Sequence, residues 1–267
     1  MKGVFILTEI VHIPYGNHPS QFGVLRLPNY SGLSPVVITI HGGFWQYKYG
    51  LEENTPLDED LTRRGYATWN IEYRRVGEDG GGWPGTFIDA IDALNHLVQL
   101  EERYQLDLSR VIILGHSAGG QLALWLASRI NNVQTDEIGN TLLIPIRCVI
   151  SLAGVLDLRK MWEILEEKGM IRPVASFIGG SPQEVSERYS LASPIELLPL
   201  NVDQVLIHGE LDRHVPVELS IEYHRRAIEQ GDKVRLVVHP EVEHFMVIEP
   251  SSSAWKSVTD SLETLKS

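Results

Sequence analysis

Apolar positions along this chain follow two rhythms. Short runs rich in β-branched residues, "FGVLRL" (22–27), "PVVITIHG" (35–42), "YATWNIEY" (66–73), "RVIILGHS" (110–117), "RCVISLAG" (147–154), "QVLIHGE" (204–210) and "KVRLVVHP" (233–240), read as strands. The middle runs are nearly continuous rather than alternating, the pattern of strands covered on both faces. A further run, "GVFIL" (3–7), reads as a first strand. It and 22–27 precede any helix, which predicts an antiparallel pair at one edge of the sheet. Longer stretches repeat at three and four. Residues 86–104, "TFIDAIDALNHLVQLEERY", set Phe87, Ile91, Leu94 and Val98 on one stripe and predict a single helix. Further helices are read over 118–130, over 217–231 with Gly231 as the stop, and over 251–266 behind a serine cap.

Strands alternating with helices predict an α/β protein: a mostly parallel sheet of about eight strands, helices on both faces, one domain over residues 1–267. Residues 156–200 break the rhythm. They are expected to form either a small cap over the C-terminal edge of the sheet or a long crossover. Composition changes little in this picture, with 43% hydrophobic and 22% charged residues. The net charge of −12 argues against nucleic acid or an anionic membrane as partner. The lone cysteine, Cys148, sits in an apolar run and reads as a buried hydrophobe. The N-terminal apolar run is too short for a signal peptide and no window is long enough for a membrane helix, so a cytoplasmic protein is expected. A homodimer is left open.

The chemistry starts at "GHSAG" (115–119), a G-x-S-x-G pattern between a strand and a helix. A serine on so sharp a turn needs glycines around it, because side chains there collide with the strand and helix. Ser117 is then exposed at the C-terminal edge of the sheet, with the amide of Ala118 free at a helix N-terminus to hold an oxyanion. A serine hydroxyl needs a base, and the base an orienting acid. In this architecture the order is serine, acid, histidine. Asp212 follows the strand run 204–210, and His244 follows 233–240. Glu210, Asp203, His208, His214 and His239 compete for these roles and fit the order less well. In "HGGFWQ" (41–46) two glycines adjoin two large rings. A turn there aims further amides at the reacting oxygen; Gly43 and Phe44 are the expected donors, Gly42 the weaker one, and His41 reads as a brace. Trp45, Trp83, Trp162, Phe177 and Met246 are candidate pocket walls, each with core packing as the alternative.

Together "HGGFW", "GHSAGG", "HGELDRHVP" and "EHF" resemble the α/β-hydrolase superfamily along essentially the whole chain. Within it the sequence looks like small esterases of the hormone-sensitive-lipase kind and like kynurenine formamidase. The first group carries a third glycine where Phe44 stands; formamidases carry an aromatic or small residue there and then Trp. The stretch from Glu72 also parallels such esterases, which implies a structural role for Asp89. The resemblance implies hydrolysis of a small carboxylic ester, without metal or cofactor, through an acyl-enzyme. An aryl formamide is the alternative substrate, and a non-catalytic binding protein on a retired hydrolase fold the alternative of another class.

Overall fold

The apolar runs become eight strands of one sheet in the computed structural model, which describes residues 9–29, 32–130, 138, 139, 141–170 and 172–265. The strands are β1 Glu9–Pro14, β2 Phe22–Leu27, β3 Ser34–Ile40, β4 Ala67–Ile71, β5 Leu106–His116, β6 Cys148–Leu152, β7 Asp203–Gly209 and β8 Val234–His239. Across the sheet they run β1-β2-β4-β3-β5-β6-β7-β8. β2 is antiparallel to both of its neighbours, and every pairing from β4 across to β8 is parallel. The chain leaves β3 toward β4 on one side and then returns past it to β5 on the other. The sheet therefore has its topological switch between β3 and β5, where the strand ends open a crevice.

Nine helices are described: α1 Thr55–Arg63, α2 Gly85–Asn95, α3 Leu97–Tyr104, α4 Ala118–Ser128, α5 Leu158–Glu167, α6 Arg172–Ile178, α7 Ser186–Ala192, α8 Glu218–Glu229 and α9 Ser253–Leu265. They cover the sheet on both faces. Val36, Ile38 and Ile40 of β3 join the core beneath α2 to α8, while Val37 points the other way, to α1 and α9. This double coverage is the reason the central strands read as unbroken apolar runs. Helix α4 is buried along its whole length. Its outer side meets α7, where Gln121 Nε2 donates to the carbonyl of Ala192 and Trp125 Nε1 to that of Leu191, both at 2.9 Å.

One reading changes and one lies outside the described residues. The run at residues 3–7 lies outside the described residues; the strand paired with β2 is Glu9–Pro14, whose Val11 and Ile13 turn inward and whose other residues stay exposed. The expected helix over 86–104 is two helices. The break at His96 resets the phase, so Leu97 and Leu100 are buried in α3 and Val98 is exposed. Helix α1 shows only a short apolar stripe, Leu57 and Leu61, because its other inward residues are Asp58 and Thr62. Residues 156–200 carry α5, α6 and α7 between β6 and β7, packed into the larger core. Cys148 is buried, and burial pushes its thiol up to about 12. Among the described residues no helix is long and apolar enough to cross a membrane.

Candidate active site

β5 ends at His116 and α4 begins at Ala118, leaving Ser117 alone on the turn between them. Its backbone is forced into φ +54°, ψ −115°, a conformation that non-glycine residues rarely adopt. The turn is this tight because its neighbours have no side chains. A Cβ on Gly115 would run into the carbonyl of Gly119, and one on Gly119 into the carbonyls of Ile40 and His41. The turn is pinned from both sides: Ser117 N donates to the Leu152 carbonyl at 2.8 Å, and the Ser117 carbonyl accepts from Gly120 N at 3.0 Å and Val155 N at 3.2 Å.

Asp212 and His244 arrive from the ends of β7 and β8. The loops are bonded to each other: Glu210 N donates to the His239 carbonyl at 2.9 Å and Leu211 N to that of Val242 at 3.1 Å. A Cβ on Gly209 would strike the Val242 carbonyl, so this close approach needs glycine. The result is a hydrogen bond of 2.6 Å from His244 Nδ1 to Asp212 Oδ2. Asp212 also accepts at Oδ1 from His214 N (2.8 Å) and Val215 N (2.9 Å), and its Oδ2 lies 3.2 Å from His208 Nε2. Burial opposes its charge, but the bonds from His208, His244 and Val215 outweigh that and hold the carboxyl well below the usual carboxylate range. His244 is itself held down to about 4: burial is the main cause, the bond to Asp212 opposes it, and nearby His116 and His214 add to it. At neutral pH the pair is thus a carboxylate and a neutral imidazole whose Nε2 is unprotonated.

His116 brings this pair to the serine. Its Nε2 meets the His244 carbonyl at 3.2 Å, and the two ring centres are 4.7 Å apart. Among the described residues the Ser117 hydroxyl has no hydrogen bond, and His244 reaches the turn through its contacts with the neighbouring His116. On the other side of Ser117 lies the loop after β3. A Cβ on Gly42 would sit 3.1 Å from Cβ of Ser117. Gly43, Phe44 and Trp45 all have positive φ, at 94°, 50° and 55°. Glu53 accepts the Gly42 amide at 2.7 Å, which removes Gly42 as an oxyanion donor. The amides of Gly43, Phe44 and Ala118 meet no acceptor among the described residues. His41 is fully buried; it donates from Nε2 to Glu72 at 2.8 Å and stacks on Tyr73 with centres 4.5 Å apart, bracing the loop.

The candidate walls divide. Trp45 and Phe177 are fully buried, stacked face to face with centres 4.1 Å apart, and Phe177 continues the stack onto Phe87 at 4.9 Å. Both belong to the core, because α6 lays its ring against the loop after β3. Trp162 is buried in α5 as well. Trp83 is half-buried with its edge on Phe87. Met246 is exposed, and with Leu211, Arg213, His214, Glu243 and Phe245 it lines a cavity of about 110 Å³ beside His244. Asp89 is fully buried and ties Arg74 and Gln21 together. Reading the sequence missed Glu53 and His116, and weighed His208 only as a rival for the triad roles. Nothing local marks them, since Glu53 and His116 meet across 63 residues. Among the described residues no group of three or more His, Cys, Asp or Glu side chains is arranged to hold a metal ion.

Known proteins frame this geometry. The chain is 25% identical over 250 residues to a kynurenine formamidase of Salmo salar, covering 90% of this chain and 76% of that one. It is 26% identical over 238 residues to the isoprenylcysteine alpha-carbonyl methylesterase ICME of Arabidopsis thaliana, covering 85% of this chain and 54% of the plant protein. Among solved structures, a truncated carbohydrate esterase from gut microbiota superposes with a TM-score of 0.81 at 20% identity, covering 99% of this chain and 98% of that one. Esterase B of Lactobacillus rhamnosis matches with a TM-score of 0.81 at 21% identity, over 97% and 85%. These likenesses show the α/β-hydrolase fold. The BD-FAE family model matches residues 25–226, well over half of the chain, and the chain therefore belongs to the BD-FAE family.

Proposed function

We propose that this protein is a serine hydrolase of small carboxylic esters, with Ser117 as nucleophile, His244 as base and Asp212 as its orienting acid. The observation that carries the reading is the 2.6 Å bond from His244 to a buried Asp212, on loops that meet the strained Ser117 turn. His244 takes the Ser117 proton as the hydroxyl oxygen bonds to the acyl carbon. The amides of Gly43, Phe44 and Ala118 receive the oxyanion; one such donor is worth about 100- to 1,000-fold in turnover. His244 then hands its proton to the leaving alcohol, and water repeats the cycle on the acyl-enzyme to release the acid. The segment carrying α5 to α7 covers the acyl side in this reading, since α6 reaches the glycine loop through Phe177.

A fluorophosphonate probe tests it. Labelling confined to Ser117, lost in Ser117→Ala together with hydrolysis of p-nitrophenyl acetate, is the expected result. Absence of labelling in the folded wild type refutes it and favours a non-catalytic binding protein. A second reading, aryl formamide hydrolysis, is supported by the match to the kynurenine formamidase and by Phe44-Trp45 after the two glycines. Comparing N-formylkynurenine with short p-nitrophenyl esters separates the two; a formamide efficiency far above that of every ester overturns the first choice.

A further inference from the structure

Behind Ser117 lies a pair, His116 fully buried and Glu53 half-buried, that acyl transfer, as described above, does not use. Glu53, in the short turn of helix Leu51–Asn54, accepts at Oε2 from Gly42 N at 2.7 Å and from His116 Nδ1 at 3.1 Å. His116 is fully buried, and its Nε2 donates to the backbone carbonyl of His244 at 3.2 Å. Gly42 leads directly into the amides of Gly43 and Phe44. One carboxylate and one imidazole therefore grip the backbone on both sides of the nucleophile.

The protons can be counted. Burial works against a charge on Glu53, but the attraction of His116 and the hydrogen bonds from His116 and Gly42 outweigh it and hold the carboxyl at about 2. A carboxylate only accepts, and so does a carbonyl. Both ring nitrogens of His116 face acceptors, so both bonds form only when the ring carries two protons. We propose that Glu53 and His116 are positioning residues, an ion pair that clamps the glycine loop to the histidine loop across Ser117 and sets a positive charge beside His244. This rests on the serine-hydrolase reading. Around the pair, the buried His41–Glu72 contact stands behind the glycine loop, and Asp212, with His208 behind it, faces His244 from the β7 side. His214 faces the same ring from the β7–α8 loop, and Arg213 and Glu243 line the cavity beside it.

Substitutions split the clamp. His116→Asn sets a donor near the Nδ1 position and keeps the Glu53 bond alone; His116→Gln reaches the Nε2 position and keeps the His244 bond alone. Glu53→Gln keeps the shape and removes the charge, and as the mildest change it keeps the test open where a His116 variant does not fold. Each is assayed with p-nitrophenyl acetate from pH 4 to 9, with fluorophosphonate labelling of Ser117 and thermal melts alongside. In all three, kcat is expected to fall about 10- to 100-fold with KM within about threefold, and labelling to slow in step. In both His116 variants the acid limb of kcat/KM is expected to move up by about one pH unit, because loss of the cation eases protonation of His244. Folded variants with wild-type kcat overturn the clamp, and so does a loss of kcat with an unmoved acid limb, which a merely structural role would give. Failure of the serine reading is seen separately, in unlabelled wild type and an active Ser117→Ala, and it overturns both.

Discussion

Asp212→Asn tests the site through hydrogen bonds that leave the new side chain one orientation. Oδ1 of Asp212 accepts from two backbone amides, and Oδ2 faces Nδ1 of His244 and Nε2 of His208. An asparagine of the same shape has one oxygen and one NH₂ group. The two backbone donors hold the oxygen at the Oδ1 position, since turning the amide over would set donor against donor at a fully buried site, at about 1–3 kcal/mol for each bond left unmade. The NH₂ group then faces Nδ1 of His244, which must become the acceptor. The single ring proton moves to Nε2, the nitrogen that takes the Ser117 proton in the proposed mechanism. The base stays in place in the wrong tautomer. Such a fault is worth about 10⁴-fold in kcat, or about 5.4 kcal/mol of barrier, with KM for a small ester nearly unchanged. Steady-state hydrolysis of p-nitrophenyl acetate at pH 7.5, ~10 μM to 1 mM substrate, reads it directly. Glu210→Gln serves as the control: Glu210 is exposed two residues earlier, and near wild-type turnover is expected. A folded Asp212→Asn protein retaining a tenth or more of wild-type kcat would refute the argument, as would a collapse of activity in Glu210→Gln.

Other consequences are more local. His244 is held down to about 4, chiefly by burial, and in the proposed mechanism it acts as a base only while unprotonated, so kcat/KM should be flat above about pH 5 and fall tenfold per unit below 4; an acid limb near that of a free histidine contradicts the burial. Phe177→Ala should cost about 3–5 kcal/mol of stability, read as a lowered melting temperature, because its ring is fully buried between Trp45 and Phe87. A large change in KM at unchanged stability would make it a pocket wall after all. Asp58, on the buried face of α1 beside Arg26 and Thr39, is raised by burial to about 7, against about 4 for an unfolded chain. Between those values the folded protein holds a proton that the unfolded chain has lost. Stability should therefore decline as pH rises from 4 to 7, by up to about 1.4 kcal/mol per unit, and Asp58→Asn should remove that slope from melting curves at pH 5 and pH 8.

What could be read from the sequence follows from which constraints are local. The turn at Ser117 needs two missing side chains within five residues, and that demand is written in consecutive letters. Asp212 and His244 were legible for a different reason. In a parallel sheet all strand ends share one edge, so a residue just past a strand is close to every other such residue without any distance being known. Where the constraint is long-range, the pattern misleads. The inner face of α1 carries Asp58 because Arg26 and Thr39 await it on β2 and β3, and the two leucines left on that face, Leu57 and Leu61, make too short a stripe to stand out. Trp45 beside two glycines suggests a binding wall until Phe177, far along the chain, is found stacked on it. His116 makes the point most sharply. In G-x-S-x-G its position is the free letter, open to any residue. In the folded protein the same side chain has no exposed surface and hydrogen bonds at both nitrogens, to Glu53 and to the His244 backbone. The motif describes what the turn must omit, which residues four letters apart can express. What must be supplied at that turn depends on partners brought in by β8 and by the segment before α1, and only the assembled sheet specifies it.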